Sequence, residues 1–399
     1  MRGHAPQEEI LRFALRATGA IVLAVIMFGA SFAAASASDV TGHVYVNDNT
    51  AGQNTIAAFE RHIDGSLRPL PGSPFAAGGA GTGTIVGSQG ALQASADGRY
   101  LLAADAGSNQ ISVLRIAADG ALSPASGSPF SSNGYEPVSI AVHGSLVYVA
   151  NEGNKTTGSG SNYTGFRLNP VGRLIPIPGS TVALPSSANP GDILFNTTGA
   201  NLIGVEVGTT DPSTFLIDSF VVGTNGKLTP AAGSPFAAEA AGPFGSEFSP
   251  ADPTRLYVSN AHGGAGNGSV SAFTVSIAGA LTSIAGSPYP DGQTAPCWVE
   301  ISHDGAYLFT VNTGSTSISS YRVNADGSLS YVATTTFKSG AGIRPFDARL
   351  DQAGTNLYVV DAALDAVSGF AVSGGSLTEL AGSPFALPAG ATPFGIVTN

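Results

Sequence analysis

The chain has 399 residues, including 53 glycines and 25 prolines, with hydrophobic residues at 43% and charged residues at only 11%. That much Gly and Pro excludes a helical protein, while 20 phenylalanines and 11 tyrosines supply a core that a disordered chain lacks. With 16 basic against 27 acidic residues, and lysine only at Lys155, Lys227 and Lys338, no surface can neutralise a row of phosphates. Nucleic acid and anionic membranes are therefore not expected as partners.

At the N-terminus, Arg12 and Arg16 precede an uncharged run from Ala17 to Ser38, and Ala35-Ser36-Ala37 fits a signal-peptidase site. Residues 1–37 read as an export signal, with an uncleaved anchor as the alternative. Residues 38–399 then lie outside the cytoplasm, secreted or periplasmic. No later stretch is apolar for long enough to span a membrane. Cys297 is the only cysteine, so no intrachain disulfide or thiolate cluster is available.

From residue 40 onward a phrase close to Gly-Ser-Leu-Thr-x-x-x-Gly-Ser-Pro-Phe recurs, its leading glycines at 65, 120, 172, 226, 279, 327 and 375. Seven copies about fifty residues apart fit propeller blades. Four short apolar segments recur within each copy. Segment a opens on proline (Pro137, Pro190, Pro243, Pro296, Pro345, Pro393). Segment b is the most apolar, as in Leu146–Asn151. Segment c alternates, as in Ser269–Val275. Segment d tolerates internal proline (Pro69, Pro124, Pro176, Pro230). Proline cannot donate to a ladder, so d is the outer edge and b and c are interior. The expected fold is all-β: a seven-bladed β-propeller of four-stranded antiparallel blades. The chain enters on a segment b (Val44–Asn47) and finishes on a lone segment a (Ala391–Asn399). The C-terminal strand is thus expected to complete the first blade and close the ring.

The motifs Tyr148-Val-Ala-Asn151 and Tyr257-Val-Ser-Asn260, together with the Asp-Gly-x-Leu turns and Gly-Ser-Pro-Phe phrases, resemble the seven-bladed lactonase-like propellers. That family includes 6-phosphogluconolactonases, carboxymuconate-cyclising enzymes and exported YVTN-repeat proteins. The resemblance covers residue 40 to the C-terminus. It implies a hydrolase of a small sugar or organic-acid lactone; the alternative is a non-catalytic propeller that binds a ligand or a protein or cell-surface partner. Family enzymes carry Gly-Pro-Arg-His on one strand a and Asn-Glu-Leu after the next strand b. Here Glu206 matches the glutamate, but Gly191 and Asp192 stand where Arg and His would be.

Candidate residues follow from the strand directions, which put the d–a and b–c connections on one face. The insertions at 77–90, 152–161 and 261–268 lie there, where binding is usually found. Glu206 and Asp192 are expected near each other at this mouth as catalytic carboxylates, with Glu206 as general base. Arg344, Asp347, Trp298 and Glu152 are the substrate-binding candidates: Arg344 a counter-charge, Trp298 either a stacking face or a packing residue. Glu247, Glu300 and Arg349 share one strand-a register in three consecutive blades. Two carboxylates are too few to specify a metal, and no cofactor is expected. A monomer is expected.

Overall fold

The computed structural model describes residues 39–154, 156–157, 160–340 and 342–399. The leader, read as an export signal, lies outside these residues. Seven antiparallel sheets form the propeller. Numbered by chain order, blade 1 consists of Ile396–Thr398 as strand a, then Val40–Asn47, Thr55–His62 and Leu67–Pro69 as b to d. Blade 2 runs Leu92–Ala94, Tyr100–Asp105, Gln110–Ile116 and Leu122–Pro124. Strands a to c are Pro137–His143, Leu146–Asn151 and Asn162–Leu168 in blade 3, and Pro190–Phe195, Asn201–Glu206 and Leu216–Val222 in blade 4. They are Pro243–Phe248, Arg255–Asn260 and Ser269–Val275 in blade 5, and Pro296–Ile301, Tyr307–Asn312 and Ser317–Val323 in blade 6. Blade 7 contributes Pro345–Leu350, Asn356–Asp361 and Ala366–Ser373. Each strand a touches the strand a of the next blade, all the way round from blade 1 to blade 7 and back. In blade 1 the chain's last strand pairs with its first, Val44 opposite Thr398 and Val46 opposite Ile396.

The repeated phrases mark contacts. The strand-b tyrosine of one blade donates its hydroxyl to the leading glycine's carbonyl in the next: Tyr45 to Gly120, Tyr148 to Gly226, Tyr257 to Gly327 and Tyr358 to Gly65, at 2.8–3.0 Å. Two distant phrases thus recur together because they meet at a blade interface. The Gly-Ser-Pro-Phe phrase, which reads Gly-Ser-Thr-Val in blade 3 and Gly-Ser-Pro-Tyr in blade 5, breaks strand d. In six blades the chain leaves strand c there and returns to pair with it again, for example at Phe75–Ala76. The phrase's serine patches the gap by accepting a strand-c N–H: Ala58 N–H to Ser73 Oγ and Val113 N–H to Ser128 Oγ, both 2.8 Å. A buried amide left unpaired would cost about 1–3 kcal/mol. Blade 6 lacks the phrase, and its strand d runs unbroken from Leu329 to Thr336. Apolar side chains fill the spaces between blades, such as Val258, Val205 and Ile217 between blades 4 and 5.

Candidate functional site

The seven strands a line the axial channel. The segment 86–90, the end of the insertion between blades 1 and 2, crosses the channel at the strand-a starts. Gln89 donates from Nε2 to the carbonyls of Ser246 (2.9 Å) and Val299 (3.2 Å), and its Oε1 accepts the Val299 N–H at 3.0 Å. Its backbone N–H reaches Gly191 O at 2.9 Å. Ser88 Oγ donates to Val138 O at 2.7 Å, and Gly90 N–H reaches Asp347 Oδ2 at 3.3 Å. One short loop is therefore bonded to blades 3, 4, 5, 6 and 7. Gly245 leaves room for it: a Cβ there would lie 2.2 Å from Gln89 Oε1. The insertion read as a binding loop or flexible filler is an internal plug.

The plug decides the environment of three candidates. Trp298 is 1% exposed. Its indole N–H donates to Ser88 O at 2.7 Å, and the ring stacks on Phe346 (4.6 Å) and meets Phe244 edge-on (5.3 Å). No face is open to a sugar, so Trp298 is a packing residue. Asp347 is buried beside it, its other oxygen accepting the Ala348 N–H; burial raises its pKa against the pull of Arg349. Asp192 is held between blades. Ser246 gives it both its N–H (2.9 Å) and its hydroxyl (2.7 Å), and Ser139 gives a hydroxyl at 3.2 Å. Burial pushes its pKa up to about 7 against those hydrogen bonds.

Glu206 has a different partner from the one expected. Its companion is Asp218, on strand c of the same blade, not Asp192. Asp218 also accepts the Tyr163 hydroxyl from blade 3 at 3.1 Å. Glu206, Asp218 and Tyr163 are all buried. Gly204 makes the close approach possible, since a Cβ there would lie 2.3 Å from Tyr163 Oη. Burial, then the charge and hydrogen bond of Asp218, push the Glu206 pKa up to about 8. Burial raises Asp218 too, while hydrogen bonds donated by Glu206 and Tyr163 hold it back. Glu206 therefore carries the proton and Asp218 accepts it. The raised pKa favours the protonated form of Glu206 at neutral pH, and the two carboxyls titrate as a unit.

Comparing the blades shows how unusual the pair is. Asp105, Asn151, Glu206, Asn260, Asn312 and Asp361 end their strands b, and Asp48 stands just after the first, at one register counted from the Tyr45/Tyr148/Tyr257/Tyr358 position. The third residue of strand c is Ala57, Ser112, Thr164, Asp218, Ser271, Ser319 or Ser368. In blades 5 and 6 the two positions bond as amide and hydroxyl, Asn260 Nδ2 to Ser271 Oγ and Asn312 Nδ2 to Ser319 Oγ, each 2.9 Å. Blade 4 alone has a carboxyl at both. Asp218 was not singled out because Leu216–Val222 reads as an ordinary alternating strand; the blade-by-blade comparison was the signal that could have found it.

The remaining candidates stand apart. Arg344 is exposed, and its backbone N–H donates to Asp361 Oδ1 at 3.1 Å. Glu152 is half-buried in blade 3, and its carbonyl accepts the Ser161 hydroxyl at 2.5 Å. Cys297 is buried, its thiol pushed up to about 12 by burial, and its Sγ–H points to Ala295 O at 3.3 Å. Among the described residues no group of three or more His, Cys, Asp or Glu is arranged to hold a metal ion.

Fold and site together define a seven-bladed propeller with a plugged channel and a proton-sharing carboxyl pair in its fourth blade. Residues 215–394 match the family model described as Lactonase, 7-bladed beta-propeller. Among solved structures it is similar to a protein from Bacteroides fragilis NCTC 9343 assigned as a 6-phosphogluconolactonase, with 20% identity, 91% of this chain and 99% of that one covered, and a TM-score of 0.70. It is also similar to the Pseudomonas aeruginosa periplasmic gluconolactonase, with 18% identity, 90% and 98% covered, and a TM-score of 0.69. A hypothetical selenium-binding protein from Sulfolobus tokodaii is likewise similar, with 10% identity, 91% and 94% covered, and a TM-score of 0.63. At these identities the likeness is one of fold. Comparison with curated proteins finds no sequence that matches.

Proposed function

We propose that the protein is an exported hydrolase of small sugar or organic-acid lactones, with the Glu206–Asp218 pair as its proton-transfer group. The observation that carries this reading is the carboxyl pair itself. Amide and hydroxyl fill the same register in blades 5 and 6, so packing does not require two buried acids in blade 4. Buried, proton-sharing carboxyls at the loop end of a strand are where acid–base chemistry is found. In the reaction, the Asp218 carboxylate takes a proton from the attacking water. Glu206 delivers its own to the ring oxygen as the acyl–oxygen bond breaks, leaving a hydroxy acid. The exposed connection 209–213 begins after two further buried residues, Val207 and Gly208. Export rests on Arg12, Arg16, the apolar run and Ala35-Ser36-Ala37; N-terminal sequencing of the secreted form should begin at Ser38.

A second reading, a non-catalytic binding propeller, draws support from the same channel. Asp192, where the family has its histidine, is tied to Ser139 and Ser246, and Trp298 and Asp347 are buried at the plug. Arg344 is exposed in blade 7, while the carboxyl pair lies in blade 4. A lactone panel on the purified domain separates the two, with wild type beside Glu206→Gln and Asp218→Asn. Hydrolysis that falls by a hundredfold or more in both variants supports the enzyme. Hydrolysis undiminished in both removes the pair from the mechanism. No hydrolysis by wild type supports the binding protein.

A further inference from the structure

The plug leaves the other end of the channel open. A cavity of about 370 Å³ opens among the a–b turns, lined by Gln93, Thr197, Phe248, His303, Gln352 and the three channel ionisables Glu247, Glu300 and Arg349. A smaller chamber of about 150 Å³ continues inward to Asp192 and Gln89, sharing Gln93, Glu247 and Arg349 as lining. The larger volume is within the range of small-molecule sites.

The three ionisable side chains are built into the floor. Arg349 donates from Nη1 to Glu247 Oε1 at 3.1 Å and to Glu300 Oε2 at 3.2 Å. Glu300 is further fixed by the Leu350 N–H on Oε1 at 3.0 Å. The Glu300 side chain is 6% exposed, but Arg349 and Glu247 keep 21% and 25% of theirs open. Both of these Arg349 bonds leave from Nη1, and among the described residues neither its Nε–Nη2 edge nor Glu247 Oε2 has a hydrogen-bond partner. A donor edge beside an acceptor, with the amides of Gln93 and Gln352 and the hydroxyl of Thr197 around them, can satisfy several hydroxyls of one molecule. Phe248 adds an apolar surface at the same wall.

Charge narrows the ligand. Arg349 faces Glu300 and Glu247, and burial pushes the Glu247 pKa up to about 8 and raises that of Glu300. The floor is therefore not a net anionic or cationic site, and neither a strong anion nor a strong cation is favoured there. We infer that this cavity is a second binding site, on the face opposite the blade 3–4 interface, for a neutral polyhydroxylated molecule of monosaccharide size. The inference does not rest on lactone hydrolysis, since neither Glu206 nor Asp218 lines the cavity.

The test is calorimetric titration of the purified domain with D-glucose, D-galactose and myo-inositol, and with D-gluconate as the anionic control. Two variants accompany it. Thr197→Trp fills the rim from an exposed turn residue without touching the ionic cluster, and Glu247→Gln keeps the shape of the floor but changes its acceptor. The expected result is measurable binding of at least one neutral probe, weaker binding of gluconate, and a loss of tenfold or more in Thr197→Trp with the melting temperature unchanged. Glu206→Gln should bind the probe as wild type does, which separates this site from the carboxyl pair. No binding by any neutral probe, gluconate binding more tightly than every neutral probe, or binding that Thr197→Trp leaves intact overturns the inference. Should Glu247→Gln fail to fold, the rim variant still decides.

Discussion

Replacing Glu206 and Asp218 by the pair that blade 5 carries at the same register, as Glu206→Asn with Asp218→Ser, exchanges a proton-sharing acid pair for a neutral hydrogen bond. The pH dependence follows from the direction of the shifts. The folded-state pKa of Glu206, about 8, lies above its ordinary value of 4.5. Its contribution to stability is therefore fully present below pH 4.5 and is lost as the pH rises toward 8. Within that window the group removes up to about 1.4 kcal/mol of stability per pH unit. Asp218 is raised as well, so its removal acts in the same sense. Asp48, Asp192 and Glu247, also raised by burial, are present in both proteins and cancel in the comparison. The new amide–hydroxyl bond contributes about 1 kcal/mol, offset by the methylene lost from Glu206, so the two proteins should be nearly equal at pH 5. By pH 8 the variant should be the more stable by up to about 3 kcal/mol, a sizeable part of the 5–15 kcal/mol that holds a typical domain. Urea unfolding at pH 5, 6, 7 and 8 reads this directly, provided the slope m stays constant. Parallel stability curves for the two proteins would refute a shared proton at this site.

Deleting 391–399 removes Phe394 and Ile396, both fully buried, and the ladder to Val44–Val46. At about 1.5–3 kcal/mol per buried side chain the loss is several kcal/mol, so size-exclusion chromatography should show aggregation; a monomer with an unchanged melting temperature would contradict ring closure. Gly245→Ala places a methyl 2.2 Å from Gln89 Oε1 and 2.5 Å from Cys297 O. It should destabilise by about 1–3 kcal/mol and shift the emission of the single tryptophan, whose N–H bonds to the plug; an unperturbed spectrum and midpoint would disprove the tight fit. Tyr257→Phe should cost about 1 kcal/mol through the lost bond to Gly327 O, measurable as a lower urea midpoint with m unchanged. Net charge −11 and few cations oppose a phosphorylated substrate, so 6-phosphogluconolactone should not be turned over, and turnover at physiological rates would overturn that expectation.

The blades were legible because each sequence phrase answers to a physical need that recurs from blade to blade. Proline at the start of strand a and within strand d, the tyrosine that reaches the next blade's turn, and the serine that patches strand d all sit where the structure uses them. The site was less legible for two separate reasons. The plug is a single-copy segment of Gly, Ser, Thr and Gln, and its function depends on carbonyls of five blades that no local pattern announces. Asp218 lies at an alternating strand position where a polar residue excites no notice, and its meaning appears only when that register is read across all the blades. Asp192 and Glu206 look adjacent in a strand diagram because their strands pair. Side-chain direction separates them, one turned to the serines of neighbouring strands a and the other to strand c.

That separation bears on what the channel can do. The resemblance implies an Arg-His pair on one strand a. Here Asp192 is bonded to Ser139 and Ser246 on the neighbouring strands a, while Gln89 and Gly90 close the axis against Ser246, Val299 and Asp347. Each of these groups has its partner within the fold, so none is left over to meet a ligand. The groups with unspent hydrogen-bonding capacity lie elsewhere: a proton held between Glu206 and Asp218 at the blade 3–4 interface, and the free edge of Arg349 with Glu247 at the far end of the channel. Chemistry and recognition, if they share one molecule here, act through two places that the plug keeps apart.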